Sequence, residues 1–247
     1  MPAVTRALAI LRLLGGTAEP QTLKAIATQL GMVSSTCLHI LRVLVDEGLV
    51  KVDLATKRYS LGVGMLALAR SVIDSSPFAA LVQPVLDQVA ATWNVTAIGV
   101  EIHATDDLVV LALARPNAPF RLHIDVGSRF AAMTSATGRL VAAHADIEPA
   151  ELRRRFASAH WDQPPSWEQW QKEVESVRRR GYSIDRGNYI GGVTVLAAPI
   201  IDRHGRVTHA IVAAGVADQF SGAQVTALAQ ALKNEAQALS QLVNIRA

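Results

Sequence analysis

Between residues 34 and 42 the chain sets out hydrogen-bonding side chains at helical spacing: Ser34, Ser35, Thr36, His39 and Arg42. On a helix turning about 100° per residue, Ser35, His39 and Arg42 share one face. Cys37, Leu38, Ile40, Leu41, Leu44 and Val45 cover the opposite one. Hydroxyls and a guanidinium on an otherwise apolar helix suit the donor and acceptor pattern of base-pair edges in a major groove. His39 is the weaker member, because a neutral imidazole offers one donor where a guanidinium engages guanine through two. Ser34, Ser35 and Thr36, with the free N–H groups of a helix start, suit phosphate oxygens. Lys51, Lys57 and Arg58 follow and Arg6 precedes; all four are candidates for phosphate contact. The implied partner is double-stranded DNA.

Those side chains need a frame, and the flanking sequence predicts one. Thr22 is suited to cap a helix carrying Leu23, Ile26, Ala27 and Leu30 at helical spacing. Gly31 follows the last of them, where a left-handed residue turns the chain sharply. Ala27 is small enough for a second helix, starting near Ser34, to pack closely, so Ala27, Gly31, Cys37 and Ile40 fit the spacing of a helix-turn-helix with Met32 in support. After Asp46-Glu47-Gly48, the runs Leu49–Val52 and Lys57–Leu61 flank a turn and read as a hairpin, the wing. Taken alone, the second helix fits an ordinary amphipathic helix, and the basic hairpin tip fits a soluble edge. Their order along the chain favours the winged reading.

The charge distribution agrees. Of the net +3, residues 1–75 hold 8 Lys/Arg against 5 Asp/Glu, and the remainder is neutral. The excess is small, so DNA affinity should need more than one copy of the module per site. At 247 residues, 50% hydrophobic and 18% charged, the chain fits two packed domains and not a disordered one. The single cysteine, Cys37, excludes an intramolecular disulfide and a cysteine metal cluster, and its place on the apolar helix face suggests a buried structural thiol. No signal peptide or membrane-spanning run is evident, which places the protein in the cytoplasm and off the membrane. The histidines show no metal spacing, and neither a phosphate-binding glycine loop nor a nucleophile elbow occurs, so no cofactor, metal or catalytic residue is expected.

Helices are expected at Val4–Leu14, Gly62–Ile73 and Phe78–Trp93, where Pro84 should bend the chain or mark a fresh start. The second of these is an apolar linker ended by Asp74-Ser75-Ser76-Pro77, and a second copy of the chain is the natural partner for its greasy surface. Beyond it, strands are predicted at Val95–Ile102, Leu108–Ala114, Phe120–Ile124, Tyr182–Asp185, Val193–Ile201 and Val207–Val216. Helices are predicted at Ala136–His144, after Pro149, at Trp167–Arg180 and at Ser221–Val243. Antiparallel strands with helices segregated at the sheet's face give an α+β domain. The triplets Arg153–Arg155 and Arg178–Arg180 lie among glutamates and read as solvated faces; a second DNA surface is the lesser alternative.

These features resemble the IclR family of bacterial transcriptional regulators over nearly the whole chain. The resemblance is carried by Arg6-Ala7-Leu8, Ser35-Thr36, Tyr59-Ser60-Leu61-Gly62, Gly138-Arg139, Gly181-Tyr182-Ser183-Ile184-Asp185, and Gly192 with Ala197-Ala198-Pro199-Ile200. His39 stands where the family usually has Arg, and Arg186-Gly187-Asn188 replaces a commonly acidic stretch. The resemblance implies a winged helix-turn-helix domain over residues 1–61, a linker helix over 62–76 and a GAF-like effector-binding domain over 77–247. It implies a near-palindromic operator bound by a homodimer or a dimer of dimers. It also implies an effector pocket formed by Leu122, Phe130, Ala136, Thr137, Asp185, Val195, Val212 and Ala214, with the effector's carboxylate at the helix start Ser135-Ala136-Thr137-Gly138. Without the resemblance, a simple cap by Ser135 or Thr137 is the preferred account of that start. Val195, Val212 and Ala214 sit where relatives often carry Cys or Ser, which leaves Asp185 as the main polar side chain. The expected effector is therefore a small organic acid with an apolar or aromatic body, although plain core packing accounts equally for each valine. Two rival readings are an enzyme with an accessory winged module and an architectural or interaction protein that senses nothing.

Overall fold

The computed structural model describes residues 2–74, 76–103, 107–116, 122 and 124–246, the side chains of residues 72–74, 245 and 246 excepted. The chain divides into two compact units, residues 1–75 and 76–247.

The first unit runs α1 (Ala3–Gly15), β1 (Gln21–Thr22), α2 (Leu23–Gln29), α3 (Ser34–Asp46), β2 (Val50–Asp53), β3 (Arg58–Leu61) and α4 (Gly64–Asp74). The Thr22 hydroxyl accepts from the Ala25 N–H at 3.2 Å, as its position before the periodic run predicts. Gly31 adopts φ +59°, and the Met32 N–H returns to the Ala27 carbonyl at 2.8 Å. The helices on either side of this turn meet at 114°, the angle of a helix-turn-helix. Ile10, Leu14, Ile26, Ala27, Cys37, Ile40, Leu41, Leu44 and Val50 form one buried core. The wing pairs antiparallel, with Val50 opposite Leu61 and Asp53 opposite Arg58. The two-residue strand β1, absent from the sequence expectation, adds to the far edge of β3. It is too short for any alternation to signal it.

The second unit contains α5 (Pro77–Trp93), β4 (Thr96–His103), β5 (Asp107–Ala114), β6 (Arg129–Ala131), α6 (Ser135–His144), α7 (Pro149–Ser158), α8 (Trp167–Arg180), β7 (Ser183–Arg186), β8 (Val193–Ile201), β9 (Val207–Val216) and α9 (Gly222–Arg246). The six strands among its described residues form an antiparallel sheet in the order β6-β5-β4-β9-β8-β7. The α+β class expected from the sequence is the one observed, and helices cover both faces of the sheet. Phe78, Val82 and Leu86 of α5 join Leu228, Leu232 and Ala236 of α9 over one face. Leu140 and Val141 of α6 and Trp170, Val174 and Val177 of α8 cover the other. Strand periodicity cannot distinguish one covered face from two when the strands are this apolar. Pro84 lies inside an uninterrupted α5. The third strand expected over Phe120–Ile124 falls largely outside the described residues, and the strand beside β5 is β6.

A register shift between β4 and β5 at Gly99/Val100 has a consequence for the site. Leu108, Val110, Ala112 and Ala114 are all buried, yet the first two belong to the α6/α8 core and the last two to the α5/α9 core. The extra residue of the bulge swaps the faces midway along the strand.

His209 of β9 packs its ring 4.1 Å from that of Phe78. Burial, with His103 a lesser contributor, lowers its pKa to about 4. The folded value lies below the unfolded one, so the native state binds fewer protons in the interval between them. Stability is then complete above about pH 6.5 and declines as pH falls toward 4. A loss of about 2 kcal/mol between pH 7.5 and 5 is expected from this group. Urea unfolding at the two pH values should show it, and a His209→Gln variant should flatten the difference. An unchanged pH slope in the variant contradicts the assignment.

Candidate DNA interface and ligand cavity

The turn and core of the first unit direct α3 so that its apolar side is buried and Ser34, Ser35, His39 and Arg42 are exposed; Thr36 is half-buried. Val33 precedes the helix, and no side chain caps its first turn. The leading N–H groups of α3 are thus left for solvent or an anion. Two exposed apolar side chains flank the donors, Val33 at 71% and Val43 at 50% exposure. Pattern reasoning passes over both, because valine at a helix start or off the main stripe carries no sign of its exposure.

Lys51, Lys57 and Arg58 are exposed on the wing, whereas Arg6 is half-buried on α1. Arg58 spends one donor on the Pro20 carbonyl at 2.9 Å, which ties the wing to the α1–α2 connection. The wing tip is shaped by Asp53, whose carboxylate accepts from the N–H groups of Ala55 and Thr56 at 2.8 and 3.1 Å. These bonds hold the Asp53 carboxyl below its ordinary range, and Lys57 follows at φ +55°. Leu54 is 74% exposed at this tip.

The second unit contains a cavity of about 180 Å³ on the α6 side of the sheet. Its floor is apolar: Ile98 and Val100 of β4, Leu108 and Val110 of β5, Val195 of β8, and Val212 and Ala214 of β9. Leu122, Ile124 and Phe130 form one side, and Tyr189 and Ile190 another. The β5 bulge described above is what brings Leu108 and Val110 to this face.

The polar end is the start of α6, with Thr134, Ser135 and Thr137 in the wall. Neither Ser135 nor Thr137 caps the helix. Thr134 occupies the cap position without a side-chain bond to the first turn, and the Thr137 hydroxyl donates to the Thr134 carbonyl at 3.2 Å. Ser135 holds φ +58°, and its buried hydroxyl has no hydrogen-bond partner among the described residues. A left-handed serine with an orphaned hydroxyl is costly by about 1–3 kcal/mol, and such strain collects at ligand sites. Gly138 permits this start: a Cβ there would lie 2.3 Å from the Met133 carbonyl.

Of the eight expected pocket residues, Leu122, Phe130, Thr137, Val195, Val212 and Ala214 line the cavity; Ala136 and Asp185 do not. Ala136 is buried in the α6/α8 core. Asp185, 1% exposed, is engaged elsewhere: it accepts from the Asn188 N–H at 2.8 Å and faces Arg139 at 3.4 Å. Burial pushes its carboxyl above the ordinary range, against the pull of Arg139 and the loop N–H groups. The polar side chain expected in the pocket is thus part of its support.

Arg139 is the centre of that support and is 1% exposed. Its Nε donates to Glu173 at 2.7 Å, Nη1 to the Ser135 carbonyl at 2.9 Å and Nη2 to the Asn188 side chain at 2.8 Å. One guanidinium therefore joins the start of α6 to α8 and to the segment carrying Tyr189 and Ile190. That segment is tied again by Gln163, whose N–H donates to the Asn188 carbonyl at 3.0 Å, and by Asp162, which accepts from the Gly191 N–H at 2.9 Å.

A helix-turn-helix with an exposed donor face, together with a domain built around an apolar cavity, defines a DNA-binding transcriptional regulator. A profile of the IclR helix-turn-helix domain matches residues 3–54, and one described as bacterial transcriptional regulator IclR C-terminal matches residues 70–241. The chain belongs to the IclR family of bacterial transcriptional regulators. It is similar to the glycerol operon regulatory protein of Streptomyces coelicolor, 31% identical over 81% of this chain and 79% of that one. Among solved structures, an IclR-type transcriptional regulator from Alicyclobacillus acidocaldarius is 28% identical with a TM-score of 0.84, covering 98% of each chain. An IclR homologue from Microbacterium hydrocarbonoxydans, complexed with 4-hydroxybenzoate, is 17% identical with a TM-score of 0.75 over 96% of this chain and 100% of that one; at that identity the likeness is one of fold. No single described helix is long and apolar enough to cross a membrane.

Proposed function

We propose that the protein is an effector-responsive regulator of a near-palindromic operator, controlled by a small carboxylate with an apolar or aromatic body. The observation that carries this reading is the cavity's asymmetry. It is apolar on its floor and sides and polar at the uncapped start of α6, where the Ser135 hydroxyl is buried without a partner. A carboxylate at that end would meet helix N–H groups, the helix dipole and an unsatisfied donor, while its body lay against valine, leucine and phenylalanine. Side chains do not fill the cavity, which favours sensing over a purely architectural role. The 4-hydroxybenzoate bound by the Microbacterium homologue has the same chemical outline. A polyol such as glycerol fits poorly, because its hydroxyls would lose water against an apolar floor.

The DNA side of the proposal assigns Ser35, Thr36, His39 and Arg42 to base edges, with Ser34, Arg6, Lys51, Lys57 and Arg58 on phosphates. Val33 and Val43 would supply apolar contact to thymine methyl groups. Self-association as a dimer or tetramer is supported by large apolar side chains left exposed on α1 (Val4, Leu8) and at α4 (Val63, Leu66, Leu68). The domains would then be residues 1–61, 62–76 and 77–247, acting in the cytoplasm. Effector would change operator affinity only through unequal affinity for two arrangements of the recognition helices.

Thermal shift with benzoate and 4-hydroxybenzoate, against glyoxylate and glycerol, tests the effector class. The aromatic acids should raise Tm by about 2–4 °C at saturating concentration, and Ser135→Ala should reduce that rise. Stabilisation by glyoxylate or glycerol alone would refute the reading.

A further inference from the structure

Arg139, which holds the Ser135 carbonyl, also lines a second cavity, of about 220 Å³, together with residues of α8 and the edge strand β7. Its chemistry is the reverse of the first. Arg139, Arg180, Arg186 and Ser176 bring donors to its wall. Glu173 is the one acid in the lining, and it is already matched: Oε2 takes the Arg139 Nε at 2.7 Å and Oε1 the Gln169 amide at 2.8 Å.

Three observations set this pocket apart from an ordinary basic surface. Arg178 and Arg179 of the same triplet are accounted for, the first on the Ala143 carbonyl at 2.8 Å and the second on Glu175 at 3.3 Å. Arg180 and Arg186 have no protein partner among the described residues, yet helix and strand bring both to one cavity. The Ser176 hydroxyl is buried and has no hydrogen-bond partner among the described residues. Arg139 directs four of its five N–H groups to protein acceptors and keeps one Nη2 hydrogen unassigned. Unsatisfied donors and unpaired guanidinium forks gathered at one polar cavity are complementary to an oxyanion, which accepts at several oxygens and binds arginine bidentately.

We infer that this cavity is a second ligand site, distinct from the effector cavity, that takes a small oxyanion of the phosphate or carboxylate class. Arg180 and Arg186 supply the charge, Ser176 supplies a hydroxyl donor, and Arg139 closes the inner wall. Arg139 also holds the Ser135 carbonyl, so an anion here acts on the residue that shapes the start of α6. The inference does not depend on what the effector cavity binds.

The test is titration of the full-length protein with sodium phosphate and, separately, with sodium citrate, each against sodium chloride of equal ionic strength. Thermal shift and titration calorimetry are the readouts. At least one oxyanion should raise Tm by about 2–4 °C beyond chloride and give a saturable heat. The larger response assigns the site to phosphate or to carboxylate. The double variant R180Q/R186Q changes two exposed side chains and should retain the fold by circular dichroism while losing the increment. Its response to 4-hydroxybenzoate should match that of the unaltered protein, which separates the two cavities. No response beyond chloride in the unaltered protein, or an equal response in the double variant, overturns the inference.

Discussion

Replacing Arg139 by Met is expected to destabilise the second unit by about 3–5 kcal/mol. The size follows from what is left behind. Asp185 is left 1% exposed, held by loop N–H groups but without its cation. Glu173, the Asn188 side chain and the Ser135 carbonyl each lose a charge-assisted donor. Losing one member of a buried ionic network costs more than the network contributes, because the survivors stay desolvated. All four tryptophans, Trp93, Trp161, Trp167 and Trp170, lie within residues 76–247, so their fluorescence during urea unfolding reports this unit alone. The Trp161 ring also lies 5.9 Å from the guanidinium. Adding Asp185→Asn to the Met variant should recover part of the loss, since no acid is then buried without its cation. A loss below about 1 kcal/mol, the scale of a surface pair, would mean that the network carries little of the fold.

A second large effect is expected on DNA. The double substitution Ser35→Ala and Arg42→Ala should weaken binding to a specific promoter fragment by about 10- to 100-fold at moderate salt. Both side chains are exposed on α3, and the buried side of that helix is untouched, so the fold should persist. Affinity for unrelated DNA should fall much less, because that binding comes mainly from phosphate contacts. Lys57→Gln should behave oppositely, weakening all sequences alike and lowering the salt slope by about one unit. The same titrations read stoichiometry, with at least two copies expected per operator. Unchanged specific affinity in the double variant would remove α3 as the reading element, and one copy per operator would remove the symmetric arrangement.

Much of this organisation is legible in the chain itself. The helix-turn-helix can be read because its signals are local: a hydroxyl before an apolar stripe, a glycine after it, and a second stripe of the same period. Helix α8 runs over Trp167–Arg180 as its period predicts, between a serine cap and a glycine stop. The valines and alanine of the cavity floor follow from the family resemblance, and the register of β8 and β9 places Val195 opposite Ala214 on one face.

Other features depend on residues far apart in sequence. Asp185 is expected to serve the pocket, yet an arginine 46 positions earlier claims it. No spacing rule announces such a pair. The face swap in β5 turns on one extra residue in a ladder, which strict alternation hides. Ser135 reads as an ordinary helix cap, and its positive φ and stranded hydroxyl arise only once Met133 is packed against Gly138.

Periodicity, turn residues and charge placement are therefore enough to establish the elements, the winged motif and the basic N-terminal unit, because each is encoded within a few turns of chain. Which polar groups end up satisfied, and which are left over to face a cavity, was decided by packing α6 and α8 against the β7 end of the sheet. Desolvation depends on every neighbour at once, and those neighbours meet only in three dimensions.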